Sequence, residues 1–343
     1  MDVKTIKFEA SSAAEEHWDG FFECMDEASR EIDPGEPLLP RARRKQLVFA
    51  GESNPYRRTH RVLLFPAGGA GCAGLAAVFV ETPRSPSYEN NKHIATMHLL
   101  FVPGKYRGKG LGALLLRRVI EELAANEPQV SELFAPVVLG SGRRFMDRLG
   151  GTVSLETAEN RLYLQDVDWP MVEAWAAEGA GKNPDTAITT VSVIPQADID
   201  DYSAAYTETI NQQPLGDTGI DMKYTPEQIR FGEQQNLEYG AVRTTIYTKG
   251  ADGSISGLTE TVYTKEEGHK AAQLLTGVRE RYRGRGLGKL LKAAMLLHIR
   301  KEYPGVKYIT TGNADSNAPM MAINSKLGFK RHLPVRLYKL KIK

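Results

Sequence analysis

At 343 residues and a formal net charge of +2, the chain is long enough for two ordinary domains and lacks the basic excess expected of a nucleic-acid binder. Hydrophobic residues make up 41% of it, enough for two cores, yet no apolar run nears the roughly 18 residues that cross a bilayer. Its two cysteines, Cys24 and Cys72, are too few for a disulfide framework or a cysteine metal site and read as buried free thiols. The opening MDVKTIKFEASSAAEEHWDG has no apolar centre of the signal-peptide kind, which predicts a cytoplasmic protein with no membrane partner.

In chain order, the first informative stretch is GKYRGKGLGALL from Gly104, preceded by Val102. It is followed by SELFAPVVLGSGRRFMDRLGG, a strand and then a segment ending in Leu149-Gly150. DVDWPMVEAWAAEGAGKNPDT next offers a short amphipathic helix and a Gly/Asn/Pro stretch of linker composition, placing a boundary near 180–188. The predicted domains are therefore 1–180 and 188–343.

The second half opens with NQQPLGDTGIDMKYTPEQIR (211–230), a polar segment expected to fold over a cleft and carrying Asp217, Asp221 and Tyr224. ISGLTETVYT (255–264) reads as a strand, joined by the turn KEEGH to a second strand, KAAQLLTGV (270–278). RERYRGRGLGKLL then repeats the first-half stretch, Arg283 lying 176 positions beyond Arg107. After it Leu287, Leu290, Leu291, Ala294 and His298 share one helical face. VKYITT (306–311) is a strand, and a helix opens near Asn317-Ala318-Pro319 and runs towards Leu327-Gly328-Phe329.

A repeat spanning half the chain is a whole domain, because solenoid repeats run at roughly 20 to 50 residues. Glycines 284, 286 and 288 sit where the strand passes into the helix, so several backbone N–H groups converge at a helix amino terminus, a ready phosphate site. Arg279, Arg281, Arg283, Arg285 and Lys289 cluster beside it. A Walker loop is excluded, since Leu290 follows Gly288-Lys289, and so is GxGxxG, since the third glycine stands at 288.

What remains, Arg283-Gly284-Arg285-Gly286-Leu287-Gly288, resembles the coenzyme A pyrophosphate loop of the GNAT superfamily of N-acetyltransferases, and Arg107-Gly108-Lys109-Gly110-Leu111-Gly112 matches it too. The resemblance covers the whole chain as two tandem copies, an architecture similar to mycothiol synthase and related actinobacterial two-domain acetyltransferases. It implies an α/β (α+β) fold of two domains, each a mixed, mostly antiparallel sheet flanked by helices. It further implies acetyl-coenzyme A as cofactor and direct transfer to a small-molecule primary amine, in a monomer or homodimer.

By the same resemblance, coenzyme A is held in the second copy by Thr276, Val278, the loop Arg283 to Gly288, Lys289, and Asn313 and Asn317 on the pantetheine arm. The first copy offers Val102, Arg107, Gly108, Lys109, Gly110, Leu111 and Gly112, but Ala135 and Leu139 replace the two asparagines, and Gly151 stands where the second copy has Phe329. The first copy therefore reads as degenerate or structural, and catalysis is assigned to the second.

The family's glutamate base, eleven residues before the loop arginine, is Ala272 here, and its tyrosine acid is Asn324; the first copy has Thr96 and Met146. Glu260 is the nearest substitute base, with Asn324 a hydrogen-bond donor in the acid's place; His269 and Tyr338 are weaker candidates. Two alternatives stay open: a non-catalytic acyl-coenzyme A sensor, and an acyltransferase with another acyl group or a protein acceptor.

Overall fold

A computed structural model describes residues 1–68 and 71–343. The chain divides into two compact units, Met1–Ser154 with Arg336–Lys343, and Leu155–Val335.

The first unit runs β1 (Val3–Lys7), α1 (Glu15–Ile32), α2 (Arg41–Glu52), β2 (Arg57–Pro66), β3 (Gly74–Glu81), α3 (Tyr88–Asn91), β4 (Ile94–Phe101), α4 (Leu111–Asn126), β5 (Glu132–Val137) and α5 (Gly140–Arg148). Strands β1 to β4 pair antiparallel with their neighbours, and β4 pairs parallel with β5. A parallel pair needs a crossover, and α4 supplies it. Leu115, Val119 and Leu123 of α4 are fully buried on one sheet face, each worth roughly 1.5–3 kcal/mol. Trp18, Phe21 and Phe22 of α1 cover the other face with Leu63 and Leu75. Cys24 and Cys72 are free and buried there.

The second unit repeats the plan. It contains β6 (Thr152–Tyr163), α6 (Trp169–Lys182), β7 (Ala187–Val191), α7 (Ile199–Asn211), α8 (Pro226–Glu238), β8 (Ala241–Lys249), β9 (Ile255–Thr264), β10 (Lys270–Val278), α9 (Leu287–Glu302), β11 (Tyr308–Ala314), α10 (Ala318–Leu327) and the start of β12 (Lys330–Lys341). Its strands follow the order β6-β11-β10-β9-β8-β7. Only the β10–β11 pair in that series is parallel, bridged by α9. Both units thus have the mixed, mostly antiparallel sheet expected.

The units of packing are not the two sequence copies. Arg336–Lys341 of β12 lie antiparallel to β5 of the first unit, whereas Thr157–Tyr163 of β6 lie against β11 of the second. Each copy's last strand therefore completes the other copy's sheet. The stretch 180–188 lies inside the second unit rather than between units, since α6 packs on α9 and Gly179 lies against Leu290.

Candidate functional site

In the second unit the parallel pairing of β10 with β11 stops after three residue pairs, Lys270↔Tyr308 to Ala272↔Thr310. Beyond it β10 keeps β9 on one side, with one extra residue inserted between Gln273 and Thr276, while β11 keeps β6 on the other. The two facing strand edges part, so an extended ligand with amide groups can enter as a strand would. The bulged residue Leu274 is 40% exposed there.

β10 leads directly into the glycine loop. Gly284 and Gly286 adopt φ of 78° and 80°, left-handed backbone that favours glycine. Gly286 caps α9 with no side-chain hydrogen bond, so the first N–H groups of the helix stay available to an anion. Tyr282 is buried beneath the loop with Leu287 and Leu290, and its hydroxyl donates to Asp252 Oδ2 at 2.6 Å.

The five basic residues separate by role. Arg279 is bound to Glu208 and Asp201 at 2.7 Å each, and Arg281 lies 3.6 Å from Asp252. Arg283 donates to neutral Gln212 at 2.6 Å, while Arg285 and Lys289 lie over the rings of Tyr282 and Trp175. Beside the loop is a cleft of about 640 Å³, lined by Asn183, Thr186, Ser256, Tyr282, Arg285 and Lys289 among others. Asn183 caps α6 and donates to Gly179 O and to Arg285 O at 2.8 and 3.0 Å. Its place in a stretch of linker composition hid this role, and no spacing in the sequence signals it.

The arm side of the opening is polar. Asn324 is buried and donates to Asn313 Oδ1 at 2.7 Å, leaving its own Oδ1 without a partner. Asn317 caps α10, accepting from Met320 N. The Thr276 hydroxyl meets that of Thr259 at 2.7 Å, and Gln273 donates to Thr259 Oγ1 at 2.8 Å with its Oε1 unpartnered. Val278 packs under the loop.

Glu260 is 1% exposed. It accepts Arg243 Nε and a terminal Arg243 nitrogen at 3.0 and 2.6 Å and the Tyr202 hydroxyl at 2.6 Å, so both its oxygens are engaged. Burial, with the Glu260 charge second, pushes the Tyr202 hydroxyl well above the usual phenol range. Of the weaker candidates, His269 stands against the Tyr308 ring, and Tyr338 belongs to the first unit, where it donates to Asp147. The segment before α8 is tied back to α7: Asn211 bonds both backbone groups of Met222, and Thr207 both of Tyr224.

The first unit repeats the opening and the loop. Pairing of β4 with β5 ends after Thr96↔Phe134, Gly108 and Gly110 adopt φ of 74° and 79°, and Gly110 caps α4 with no side-chain hydrogen bond. Here the donors are taken by α1. Arg107 donates to Val102 O and, with both terminal nitrogens, to Glu31; Glu27 accepts from Gly104 N, and Glu23 lies 3.7 Å from Lys105.

Solved structures share this fold. A tandem GNAT protein from the clavulanic acid biosynthesis pathway is 19% identical, with a TM-score of 0.74 over 100% of this chain and 99% of its own. A GCN5-related N-acetyltransferase from Sphaerobacter thermophilus is 16% identical, with a TM-score of 0.66 over 99% and 96%. An N-myristoyltransferase from Saccharomyces cerevisiae, solved with myristoyl-coenzyme A, is 11% identical, with a TM-score of 0.58 over 99% and 79%. No protein-family model matches the sequence, and no curated protein does. The likeness is one of fold: the chain has the tandem GNAT fold.

Proposed function

We propose that the chain is an acyl-coenzyme A-dependent acyltransferase that moves an acetyl group from acetyl-coenzyme A to the primary amine of a small molecule. The observation that carries this reading is the parting of β10 from β11 beside the uncapped start of α9. Pyrophosphate would meet the amides of Leu287 and Gly288 and the charges of Arg283, Arg285 and Lys289. The pantetheine arm would run along Val278 and Thr276 towards Asn313 and Asn317, and an N–H on it would relieve the unpartnered Asn324 oxygen. The myristoyl-coenzyme A carried by one structural neighbour supports the ligand class.

In the reaction the neutral amine nitrogen attacks the thioester carbonyl carbon, the N–C bond forms and the C–S bond breaks, and the proton shed by the nitrogen passes by way of solvent to the departing thiolate. The second unit contributes positioning above all, which can supply much of the rate when reactants are held in line. Asn324 and Glu260 are the residues we place nearest this chemistry, Glu260 through Arg243 and Tyr202. Asp217, Asp221 and Tyr224, in the segment tied to α7, would face a cationic acceptor such as an amino sugar.

The engagement of both Glu260 oxygens favours a second reading, an acyl-coenzyme A sensor without turnover. One experiment separates them: purified protein with acetyl-coenzyme A and a panel of amines, following thiol release, beside calorimetric titration with acetyl-coenzyme A. Binding with turnover supports the transferase, binding without turnover for any amine supports the sensor, and no binding removes both.

A further inference from the structure

Lys292 of α9 is the one buried lysine among the described residues. Its helix neighbours Leu291, Ala293, Met295 and Leu296 all belong to an apolar cluster. In the first copy the residue 176 positions earlier is Leu116, buried in a cluster of the same kind. Among the described residues nothing accepts a hydrogen bond from the Lys292 ammonium and no carboxylate pairs with it; it lies over the Phe329 ring, 5.5 Å from the centroid. Burying an unpaired ammonium is costly, and the copy with leucine shows that the fold does not require one.

The amine stands at the closed end of the opening between β10 and β11. Gly288, one turn before Lys292 on the same face of α9, lies against α10: a Cβ there would be 3.5 Å from Ile323 Cδ1. Phe329 follows α10 directly, its N–H bonded to Asn324 O at 3.0 Å. A Cβ on the preceding Gly328 would be 3.5 Å from Leu162 Cδ1, and Leu162 is the β6 partner of Ile309 on β11. Ile309 is one residue short of Thr310, where pairing with β10 ends. Lys292, over Phe329, therefore sits where the two strand edges begin to part. An arm running from the loop along Val278 and Thr276 brings its thioester to that end.

We propose that Lys292 is a self-acylation site, whose amine takes the acyl group of a bound acyl-thioester when no acceptor amine is present. This rests on the reading of the chain as an acyl-coenzyme A protein. The neutral Lys292 nitrogen attacks the thioester carbonyl carbon, the N–C bond forms and the C–S bond breaks. The nitrogen sheds one proton, which passes to the departing thiolate, leaving Nε-acetyllysine and the free thiol. The product is a neutral amide, so the buried charge is gone.

The surroundings suit a nucleophile. Burial alone lowers the Lys292 pKa to about 7, with no charged group contributing, so a large share of the amine is neutral at neutral pH with its lone pair free. A surface lysine, with a pKa near 10.4, offers roughly one part in a few thousand at pH 7. Because the side chain is covered, a donor free in solution does not reach it, whereas one seated in the opening does.

The test incubates full-length protein with acetyl-coenzyme A and no amine, following intact mass and the masses of proteolytic peptides. The expected result is a gain of one acetyl group, on Lys292, that saturates with acetyl-coenzyme A and rises with pH to a plateau above about 7, as the amine becomes neutral. Lys292→Leu, which installs the residue of the first copy, removes the label, and Gly286→Val slows it about tenfold or more by weakening the loop. Acetyl phosphate, an acyl donor without the arm, leaves Lys292 unlabelled.

Calorimetric binding of acetyl-coenzyme A with Lys292 unlabelled overturns the proposal and leaves the acyl-coenzyme A reading standing. So does label confined to exposed lysines, or label on Lys292 that acetyl phosphate gives as readily or that Gly286→Val leaves unchanged. No binding at all removes both.

Discussion

Arg107 and Glu31 face each other through two parallel contacts of 2.7 and 2.5 Å, holding the guanidinium of the first loop on α1, while its counterpart Arg283 meets the neutral amide of Gln212. A charge already matched by a carboxylate adds less to an incoming anion than one that is not. The two loops therefore share a shape and differ in field.

Arg283→Ala should weaken acetyl-coenzyme A binding at the tighter site about tenfold, the size of one lost charge-assisted contact. Arg107→Ala should leave that affinity within about twofold and lower thermal stability by roughly 1 kcal/mol, since the Arg107–Glu31 pair is partly exposed. Calorimetry and thermal melts check both; a reversed order would move the principal site to the first unit.

Gly286→Val should reduce affinity more than tenfold without unfolding the chain. No atom lies within 4 Å of a Cβ there, so the site is roomy, but φ of 80° costs a branched residue roughly 1–2 kcal/mol and the new side chain occupies the ligand's side of the loop. Unchanged affinity by titration would contradict the loop assignment.

Asn183→Ala removes the donor to the Arg285 carbonyl and the cap on Gly179. A net hydrogen bond is worth about 1 kcal/mol, so roughly fivefold weaker binding and a small drop in Tm are expected. A loss in Tm with affinity intact would make Asn183 a helix cap and nothing more.

Glu260→Gln should destabilise the second unit by roughly 1–3 kcal/mol, because the partly exposed Arg243 loses the carboxylate it donates to while the amide itself stays buried. The readout is a denaturant midpoint measured beside kcat. A protein that keeps its stability and loses kcat a hundredfold would instead make Glu260 the base.

Lys292 is 1% exposed, lies over the Phe329 ring and sits 176 positions beyond the equally buried Leu116. Burial lowers its folded pKa from 10.5 to about 7. Between those values the unfolded chain binds more protons, so stability rises with pH; the cost of the buried ammonium is complete below pH 7 and gone above pH 10.5. Lys292→Leu should therefore raise Tm at pH 7, by roughly 2 kcal/mol of stability, with the gain shrinking as pH approaches the upper limit. Melts across pH check the sign.

What the sequence made legible was local. KAAQLLTGV and ISGLTETVYT are β10 and β9 to the residue, because apolar runs bounded by turn chemistry specify strands with few competitors. The loop glycines were equally plain, since left-handed backbone leaves few other choices. Pairings made over long separations were hidden. Nothing near Arg107 announces Glu31, the composition around Asn183 speaks of a linker, and an extra residue in β4 appears only once Met97 and Leu99 are set against Val78 and Ala77.

The strand Arg336–Lys341 closes the sheet of the first unit, against a strand laid down some two hundred residues earlier, Glu132–Val137. On a ribosome, β5 is exposed with an unpaired edge until the second half has been synthesised and released, and an unpaired edge invites intermolecular pairing. The ladder carries very long sequence separations, so its closure should come late and slowly. A fragment ending near residue 180 would keep the first loop and its helices, and still lack the strand that makes its sheet whole.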